Sequence, residues 1–206
     1  MGGCVRVIAG EVGGFHLKGP PSRATRPMND KLKGALFSSF ASLGIEPERV
    51  LDLYAGTGSL GIEALSRGAQ RAEFVDQQAA ACAVIRANLV HTRYTGVSRV
   101  HQLSVPSFLL RTSEEPFDLV ILDPPYEDPA LLTVLNQVAA SPLVQSEGII
   151  AIGHSPRVTL PGSLGEFVRL RHRCHGDSCF SIYERPIRGT AVEHQAGVGP
   201  SEESGR

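Results

Sequence analysis

A glycine-rich loop at residues 52–61 is the part of this sequence whose residue types and spacing most directly indicate chemistry. Its sequence, DLYAGTGSLG, places a G-x-G-x-x-G pattern at Gly56, Gly58 and Gly61, after an apolar strand and at the start of a helix. Glycines at these positions let the backbone turn tightly and approach a ligand closely. Asp76 follows the next predicted strand, where a carboxylate can accept hydrogen bonds from ribose hydroxyls. The spacing predicts a site for an adenosine-containing cofactor.

Asp52 helps to distinguish between the kinds of adenosine cofactor. It lies four residues before the first glycine of the loop, at the end of the predicted strand. A carboxylate there would repel the pyrophosphate of a dinucleotide, but it suits the ammonium group of an amino-acid moiety. S-adenosylmethionine carries such an ammonium, together with a carboxylate and a ribose. A capping or loop-bonding role for Asp52 is the alternative interpretation.

The second candidate site is the tetrapeptide Asp123-Pro124-Pro125-Tyr126, which follows the apolar segment 117–122. Open α/β sheets place ligands at the carboxyl ends of their strands, and two prolines stiffen a loop. An exocyclic amine on a nucleobase is a poor nucleophile because its lone pair is delocalised into the ring. Asp123 and a backbone carbonyl could accept its N–H bonds and favour the developing sp³ nitrogen, while Tyr126 stacks on the base. Taken alone, the motif could also be a proline-rich turn with a capping aspartate.

Alternating strands and helices must position these two motifs. We expect strands at 50–54, 72–75, 99–103, 117–122 and 148–152, and helices at 59–67, 78–90, 107–111 and 129–140. Two further strands, at 167–173 and 179–184, flank a turn at Gly176-Asp177. Upstream, segments 5–8 and 15–18 form a hairpin, and a helix begins at Asn29 or Asp30. This order predicts an α/β fold whose sheet is mostly parallel, with an antiparallel C-terminal hairpin.

The same pattern divides the chain into three segments. Residues 1–27 are expected to form the N-terminal β-hairpin and a basic loop, and residues 28–187 the α/β domain. Residues 188–206 contain no aromatic side chain and are rich in Gly, Glu and Ser, so we expect a disordered tail.

Charge is balanced over the chain as a whole but not along it. The 206 residues include 20 Lys+Arg and 21 Asp+Glu, a net charge of −1, which excludes a polybasic nucleic-acid binder. Residues 1–35 nevertheless carry six basic side chains, Lys33 among them, and two acidic ones, and residues 167–188 carry five basic and two acidic side chains. Basic ends on a neutral chain suggest a phosphate-binding face, with a solvated surface as the alternative. Arg23, Arg26 and Lys31 are the best candidates for contact with a nucleic acid.

Neither a membrane segment nor a metal is expected from the sequence. No apolar run approaches the length of a membrane span, and the first residues lack the apolar core of a signal peptide. The four cysteines are Cys4, Cys82, Cys174 and Cys179. No pair has CxxC spacing, so we interpret all four as reduced thiols in a cytosol-like compartment. Zinc held by Cys174 and Cys179 with His172 or His175 is the alternative, although the spacing matches no established zinc pattern.

Several segments together match a known pattern. They are Arg6-Val7-Ile8-Ala9-Gly10, Ala24-Thr25-Arg26-Pro27, Ala35-Leu36-Phe37, Leu51 to Gly58, Gly61 to Gly68, Asp123 to Tyr126 and Gly176-Asp177. The two central motifs resemble those of class I S-adenosylmethionine-dependent amino methyltransferases. From Val5 to Tyr183 the chain resembles, more narrowly, the RsmD family, which methylates the N2 amine of one guanine in small-subunit ribosomal RNA.

The resemblance implies a Rossmann-like class I methyltransferase fold, S-adenosylmethionine as cofactor, and ribosomal RNA or a small-subunit ribosomal particle as partner. It also implies a cytoplasmic monomer, or an organelle-matrix protein if the source is eukaryotic. The implied catalytic residues are Asp123, Pro124, Pro125 and Tyr126. The implied cofactor-binding residues are Asp52, Tyr54, Ala55, Gly56, Thr57, Gly58, Gly61, Asp76 and Ser104. Methylation of adenine N6 or cytosine N4 in DNA, or a non-catalytic cofactor-binding module, are the alternatives.

Three positions depart from the family pattern. The family usually has an acid after the third strand of the α/β unit, where this chain has Leu103-Ser104, whose hydroxyl can still form a hydrogen bond. Met28 follows Arg-Pro where threonine is frequent, and Gly153 lies after the fifth strand where an acid is common. The reaction class implied by the resemblance does not depend on these positions.

Overall fold

The computed structural model describes residues 5–19, 28–111, 115–125 and 128–186, and contains ten strands and five α-helices within them. The strands are β1 (Val5–Arg6), β2 (His16–Leu17), β3 (Arg49–Leu53), β4 (Arg71–Asp76), β5 (Ser98–Gln102), β6 (Phe117–Leu122), β7 (Val144–His154), β8 (Ser163–Leu164), β9 (Phe167–His175) and β10 (Ser178–Glu184). The helices are α1 (Asp30–Ser42), α2 (Ser59–Ser66), α3 (Ala79–Thr92), α4 (Val105–Leu109) and α5 (Leu131–Ala140), with a 3₁₀ turn at Thr95–Val97.

Eight of these strands form one twisted sheet in the order β5-β4-β3-β6-β7-β10-β9-β8. Strands β3 to β7 run parallel to one another, and β10, β9 and β8 pair antiparallel. The predicted α/β fold with a mostly parallel sheet and an antiparallel C-terminal hairpin is confirmed, as is the separate β1–β2 hairpin. Since parallel strands end at one side of a sheet, the loops after β3, β4, β5, β6 and β7 meet there. We call this side the carboxyl end of the sheet.

Helices cover both faces of the sheet and bury two apolar clusters. Helices α1, α2 and α3 contribute residues such as Phe37, Ile62 and Ile85 to the cluster on one face, which also includes the β1–β2 hairpin. Helices α4 and α5 contribute residues such as Phe108 and Leu135 to the cluster on the other face. The near-continuous apolar sequence of β6 follows from this arrangement, because a strand covered on both faces needs apolar side chains on each.

The sequence signals at the ends of the helices also appear in the structure. Asn29 caps α1, and its side chain accepts a hydrogen bond from the Leu32 N–H at 2.9 Å. Gly68 follows α2 with a φ of +116°, which favours glycine at this position. Strand β7 is longer than predicted because its first residue, Val144, already pairs with Phe117, and an irregularity accommodates the polar residues that follow.

The N-terminal segment is attached to the domain by a buried ion pair between Lys33 and Glu63. The Glu63 carboxylate accepts the N–H groups of Ile8 at 2.7 Å and Ala9 at 3.1 Å. Lys33 Nζ lies 3.7 Å from Glu63 and donates to the Arg6 carbonyl at 2.6 Å. Counting Lys33 in a basic surface was therefore wrong, because its side chain is 1% exposed. Burial lowers the pKa of Lys33, while the neighbouring Glu63 opposes that shift.

The interpretation of all four cysteines as reduced thiols is also corrected. Cys174 and Cys179 are joined by a disulfide between β9 and β10, while Cys82 is a buried thiol as expected. The two bonded residues lie directly opposite each other in the hairpin, a relationship that a sequence separation of five does not reveal. The predicted tail at 188–206 lies outside the described residues. None of the described helices has the length and apolar character needed to cross a lipid bilayer.

Candidate active site

The glycine-rich loop between β3 and α2 forms a tight turn at the carboxyl end of the sheet. Tyr54, Gly56 and Gly58 have positive φ values of 58°, 55° and 75°. Glycine occupies such conformations without the steric cost that other residues pay. The Gly58 N–H donates to the Ala55 carbonyl at 2.6 Å, and the Ala55 N–H donates to Val75 on the neighbouring strand at 3.1 Å. The backbone thus reverses direction immediately before α2 begins.

Asp76, at the end of β4, holds this loop in place. One carboxylate oxygen accepts the Gly56 N–H at 2.9 Å, and the other accepts the Gln78 N–H at 2.8 Å. The carboxylate therefore lies beside the first glycine of the loop and remains partly exposed. Carboxylate oxygens have further lone pairs, so Asp76 could also accept bonds from a ligand hydroxyl there.

Asp52 lies at the opposite side of the loop, buried at the end of β3. Its Oδ2 accepts the Gly61 N–H at 2.9 Å, whereas its buried Oδ1 has no hydrogen-bond partner among the described residues. Burial raises the pKa of Asp52 well above its ordinary value, and the charges of Asp123 and Asp76 add to that shift. The alternative role of Asp52, bonding to its own loop, therefore accounts for Oδ2 only. Oδ1 is left available to a cationic group.

Gly61 lets the first turn of α2 pack closely onto the sheet. A Cβ atom at this position would lie 2.4 Å from Cε1 of Phe74 and 3.2 Å from Oδ2 of Asp52. The third glycine of the motif therefore serves close helix–strand packing, which keeps its N–H within reach of the carboxylate.

Asn88 on α3 connects the loop to the N-terminal hairpin, although sequence reasoning did not select it. Its side-chain amide donates to the Thr57 carbonyl at 2.9 Å, and its Oδ1 accepts the Lys18 N–H at 2.8 Å. The signal that could have found it is a polar residue on the buried face of α3, next to Leu89. A buried amide in that position needs partners from the backbone.

Asp123 begins the loop after β6, two strands away from Asp76 and adjacent to β3 in the sheet. Its N–H approaches the Leu53 carbonyl at 3.4 Å, and its Oδ2 accepts the Met28 N–H at 3.0 Å. Its buried Oδ1 has no hydrogen-bond partner among the described residues. Burial raises the pKa of Asp123 to about 6, and the hydrogen bond from Met28 limits the rise. Such a carboxyl can accept both hydrogen bonds and a proton near neutral pH.

The loop continues through Pro124, which is buried, and Pro125, which is exposed. The Pro125 carbonyl accepts the Asp128 N–H at 3.0 Å. Prolines have fixed φ angles and no N–H, so this loop has little freedom to move Asp123.

Met28 and Gly153 complete the surroundings of Asp123. A Cβ atom on Gly153 would lie 2.4 Å from Oδ1 of Asp123 and 3.0 Å from the terminal methyl of Met28. In the sequence, Met28 and Gly153 stand out only as departures from the family pattern, whereas the structure places both against Asp123. Glycine at 153 leaves space for the carboxylate, and the Met28 backbone orients it.

The remaining predicted residues divide between described and undescribed parts of the chain. Ser104 lies at the carboxyl end of the sheet and caps α4, accepting the Ser107 N–H at 3.3 Å. Lys31 is exposed on the first turn of α1. Arg23, Arg26 and Tyr126 lie outside the described residues. The structure thus gathers Asp52, Asp76, Ser104 and Asp123 at one end of the sheet.

Comparisons with known proteins show what this chain is similar to. Residues 5–184 match the model of a protein family described as Conserved hypothetical protein 95. A Bacillus subtilis (strain 168) protein named "Putative rRNA methyltransferase YlbH" is 33% identical over 183 residues, which cover 88% of this chain and 99% of that protein. The Escherichia coli (strain K12) protein named Ribosomal RNA small subunit methyltransferase D is 29% identical over 187 residues, 91% of this chain and 93% of that protein.

A solved structure shows the same fold. The Escherichia coli structure titled "Putative methyltransferase yhhF" superposes with a TM-score of 0.77 at 28% identity, covering 89% of this chain and 98% of that one. The expected Rossmann-like class I methyltransferase fold is confirmed by this similarity together with the strand order. Because the matched segment includes both site loops and nearly all of the described residues, the chain belongs to the RsmD family of methyltransferases.

Proposed function

We propose that this protein transfers a methyl group from S-adenosylmethionine to the exocyclic N2 amine of a guanine in small-subunit ribosomal RNA. The observation that carries the proposal is the Asp123 carboxylate at the carboxyl end of β6. One oxygen is held by a backbone N–H and the other has no partner among the described residues. The names of the Bacillus subtilis and Escherichia coli relatives support ribosomal RNA as the substrate class.

The residues around the glycine loop fit this cofactor. The second oxygen of Asp52 lacks a partner among the described residues and would hold an ammonium group, whereas Asp76 beside Gly56 would bind ribose hydroxyls. Ser104, beyond β5, offers a hydroxyl on the same side. S-adenosylmethionine bound there would supply a methyl group on a positively charged sulfur, with a neutral thioether as the leaving group. The role of the protein is to orient that group toward the β6 loop.

Asp123 would act on the acceptor nitrogen. A carboxylate oxygen that accepts an N–H of the amine favours the tetrahedral nitrogen that develops during transfer, since the lone pair then leaves the ring system. The nitrogen gains a methyl group and must lose a proton. Oδ1 of Asp123 is suited to accept it because burial raises the pKa of this carboxyl to about 6. Pro124 and Pro125, which follow Asp123 directly, limit the motion of its carboxylate.

Recognition of the RNA would use the N-terminal side of the site. The Lys31 side chain is exposed. Lys31 lies three residues after Met28, whose backbone N–H donates to Asp123. We propose that Arg23, Arg26 and Lys31 bind phosphates there, and that the target base leaves its stack to enter the pocket, with Tyr126 against its face.

The decisive experiment measures incorporation of labelled methyl groups into small-subunit ribosomal RNA from a strain that lacks this protein. We expect the Asp123→Ala variant to lose at least about 100-fold in turnover while cofactor binding by calorimetry is retained. The matched control is Asp118→Asn, because Asp118 accepts backbone N–H groups from Glu48 and Arg49 at the opposite end of β6. An unchanged rate in the Asp123→Ala variant would exclude the proposed role of this carboxylate.

Two further measurements separate the alternatives. Methyl incorporation into DNA but not into ribosomal RNA would indicate a DNA amino methyltransferase instead. A thermal-shift comparison of adenosylhomocysteine with NAD tests the cofactor, since a ligand that binds only the folded state raises the unfolding midpoint. Stabilisation by NAD alone would indicate a dinucleotide-binding module.

A further inference from the structure

The tip of the β9–β10 hairpin carries a pair of cysteines on opposite strands. Cys174 and Cys179 are direct partners in the antiparallel register, next to the turn at Gly176-Asp177, and their sulfurs are bonded to each other. The two residues differ in access, because Cys174 is exposed and Cys179 is fully buried. Solvent therefore reaches the Cys174 residue but not Cys179.

A histidine with a fixed orientation lies beside the exposed sulfur. His172 Nε2 is 3.4 Å from Sγ of Cys174, and its Nδ1 is 3.1 Å from Oγ of Ser181. The buried Ser181 hydroxyl also lies 3.1 Å from Nε2 of His154, whose ring stacks on His172 with centroids 5.4 Å apart. These contacts hold one ring nitrogen toward the protein and leave the other facing the cysteine. That nitrogen can accept the proton that Cys174 loses when its sulfur becomes a nucleophile.

The hairpin tip adjoins the candidate active site through strand β7. Cys179 pairs with His154 on β7. Gly153, the residue before His154, faces the Asp123 carboxylate. The cysteine pair thus lies at the carboxyl end of the sheet, with Cys179 two strands and Cys174 three strands from β6. Neither cysteine nor His172 has a part in the methyl transfer proposed above.

We propose that Cys174, Cys179 and His172 form a thiol–disulfide exchange site that reacts reversibly with a low-molecular-weight disulfide such as oxidised glutathione. In the reduced chain, the Cys174 sulfur attacks one sulfur of the small disulfide, and His172 takes the thiol proton. The sulfur–sulfur bond of the reagent breaks, and the first thiolate leaves and is protonated. The Cys179 sulfur then attacks Cys174, releasing the second thiol. The protein dithiol is oxidised by two electrons and one small disulfide is reduced to two thiols.

The same three side chains are also a possible metal site, which the experiment must distinguish. Their ligand atoms lie within 4.8 Å of one another. Thiolates and an imidazole are ligands that zinc prefers, but a bound ion would keep both sulfurs reduced and unreactive. The bonded sulfurs favour exchange chemistry over a metal site.

The test equilibrates the full-length protein in glutathione buffers of increasing oxidised fraction and quenches with acid. The chain is then unfolded in denaturant and alkylated, and labelled thiols are counted by intact mass. The chain has four cysteines, so we expect four labelled thiols under reducing conditions and two under oxidising conditions, with full reversal. The control Cys82→Ala should lose one label in each state and keep the transition, because Cys82 is buried elsewhere.

Single variants then test the difference between the two cysteines. The Cys179→Ser variant should accumulate a glutathione adduct on Cys174, whereas Cys174→Ser should form almost none, and His172→Phe should slow the exchange of the otherwise intact pair severalfold. Three results would each overturn the proposal. The first is equal adduct formation in the two serine variants, and the second is a Cys174–Cys179 bond that glutathione never reduces in the folded protein. The third is purified protein that retains one zinc ion per chain. If a serine variant does not fold, the titration of the unmodified protein still decides the question.

Discussion

The backbone N–H of Met28 donates to Oδ2 of Asp123 at 3.0 Å, across 95 residues of sequence. This bond joins the start of the segment that leads into α1 to the first residue of the β6 loop. It uses one carboxylate oxygen and leaves the other facing Gly153. The orientation of the proposed acceptor therefore depends on where the N-terminal segment lies, and any partner that shifts this segment will also shift the carboxylate.

The rate of methyl transfer should depend on pH through Asp123. Its pKa is raised to about 6 by burial, so below that pH the carboxyl is mostly protonated and cannot accept the amine proton. The rate should therefore increase as pH rises through about 6 and level off above about 7. The charges of Asp52 and Asp123 interact, and Asp52 is proposed to bind the cofactor. The measurement should therefore use saturating cofactor and RNA, so that the pH profile does not report changes in binding. A rate that is constant across this range would contradict the proton-accepting role.

Replacement of Gly153 by alanine should reduce activity without unfolding the domain. The added Cβ would lie 2.4 Å from Oδ1 of Asp123, so the carboxylate must move. We expect at least about a tenfold loss in kcat, together with a loss of about 1–3 kcal/mol in the free energy of unfolding. Gly162→Ala is the matched control, because a Cβ there meets no atom within 4 Å. Equal activity of both variants would mean that the carboxylate position does not matter.

Asp52→Asn should weaken cofactor binding while the protein remains folded. The amide oxygen can still accept the Gly61 N–H, whereas the charge that would hold an ammonium group is lost. Calorimetry with adenosylhomocysteine should show affinity lower by about 10- to 100-fold, the usual value of a hydrogen bond to a charged group. Stability should not fall, because burial raises the pKa of Asp52 and makes its charge costly when no cationic partner is bound. Undiminished affinity would assign Asp52 to loop bonding alone.

Glu63→Gln should be strongly destabilising. Removing its charge leaves Lys33 buried without a counterion and weakens the bonds from Ile8 and Ala9. Breaking a buried pair by removing one partner costs about 3–5 kcal/mol, which urea titration can measure. The double variant Glu63→Gln/Lys33→Met should recover part of this loss, since no fully buried unpaired charge remains; Arg67, the other partner of Glu63, is partly exposed. If the double variant is less stable than the single one, the ion pair is not the source of the effect.

The sequence alone predicted the features that depend on local patterns. Apolar runs and helical periodicity located β3, β4, β6 and the helices between them, because each element must bury one or both faces. The glycine pattern at 56–61 and the acids at Asp52, Asp76 and Asp123 were found because they follow strands, and parallel strands end on one side of a sheet.

Contacts between distant residues were decided only by the tertiary structure. Lys33 was counted as a surface charge, but helix packing places it opposite Glu63 in the core. Cys174 and Cys179 were interpreted as thiols, but the hairpin register places their sulfurs within bonding distance. The bond from Met28 to Asp123 could not be predicted for the same reason. Residue type determines which groups can interact, whereas the distance between residues far apart in sequence is set by how the whole chain packs.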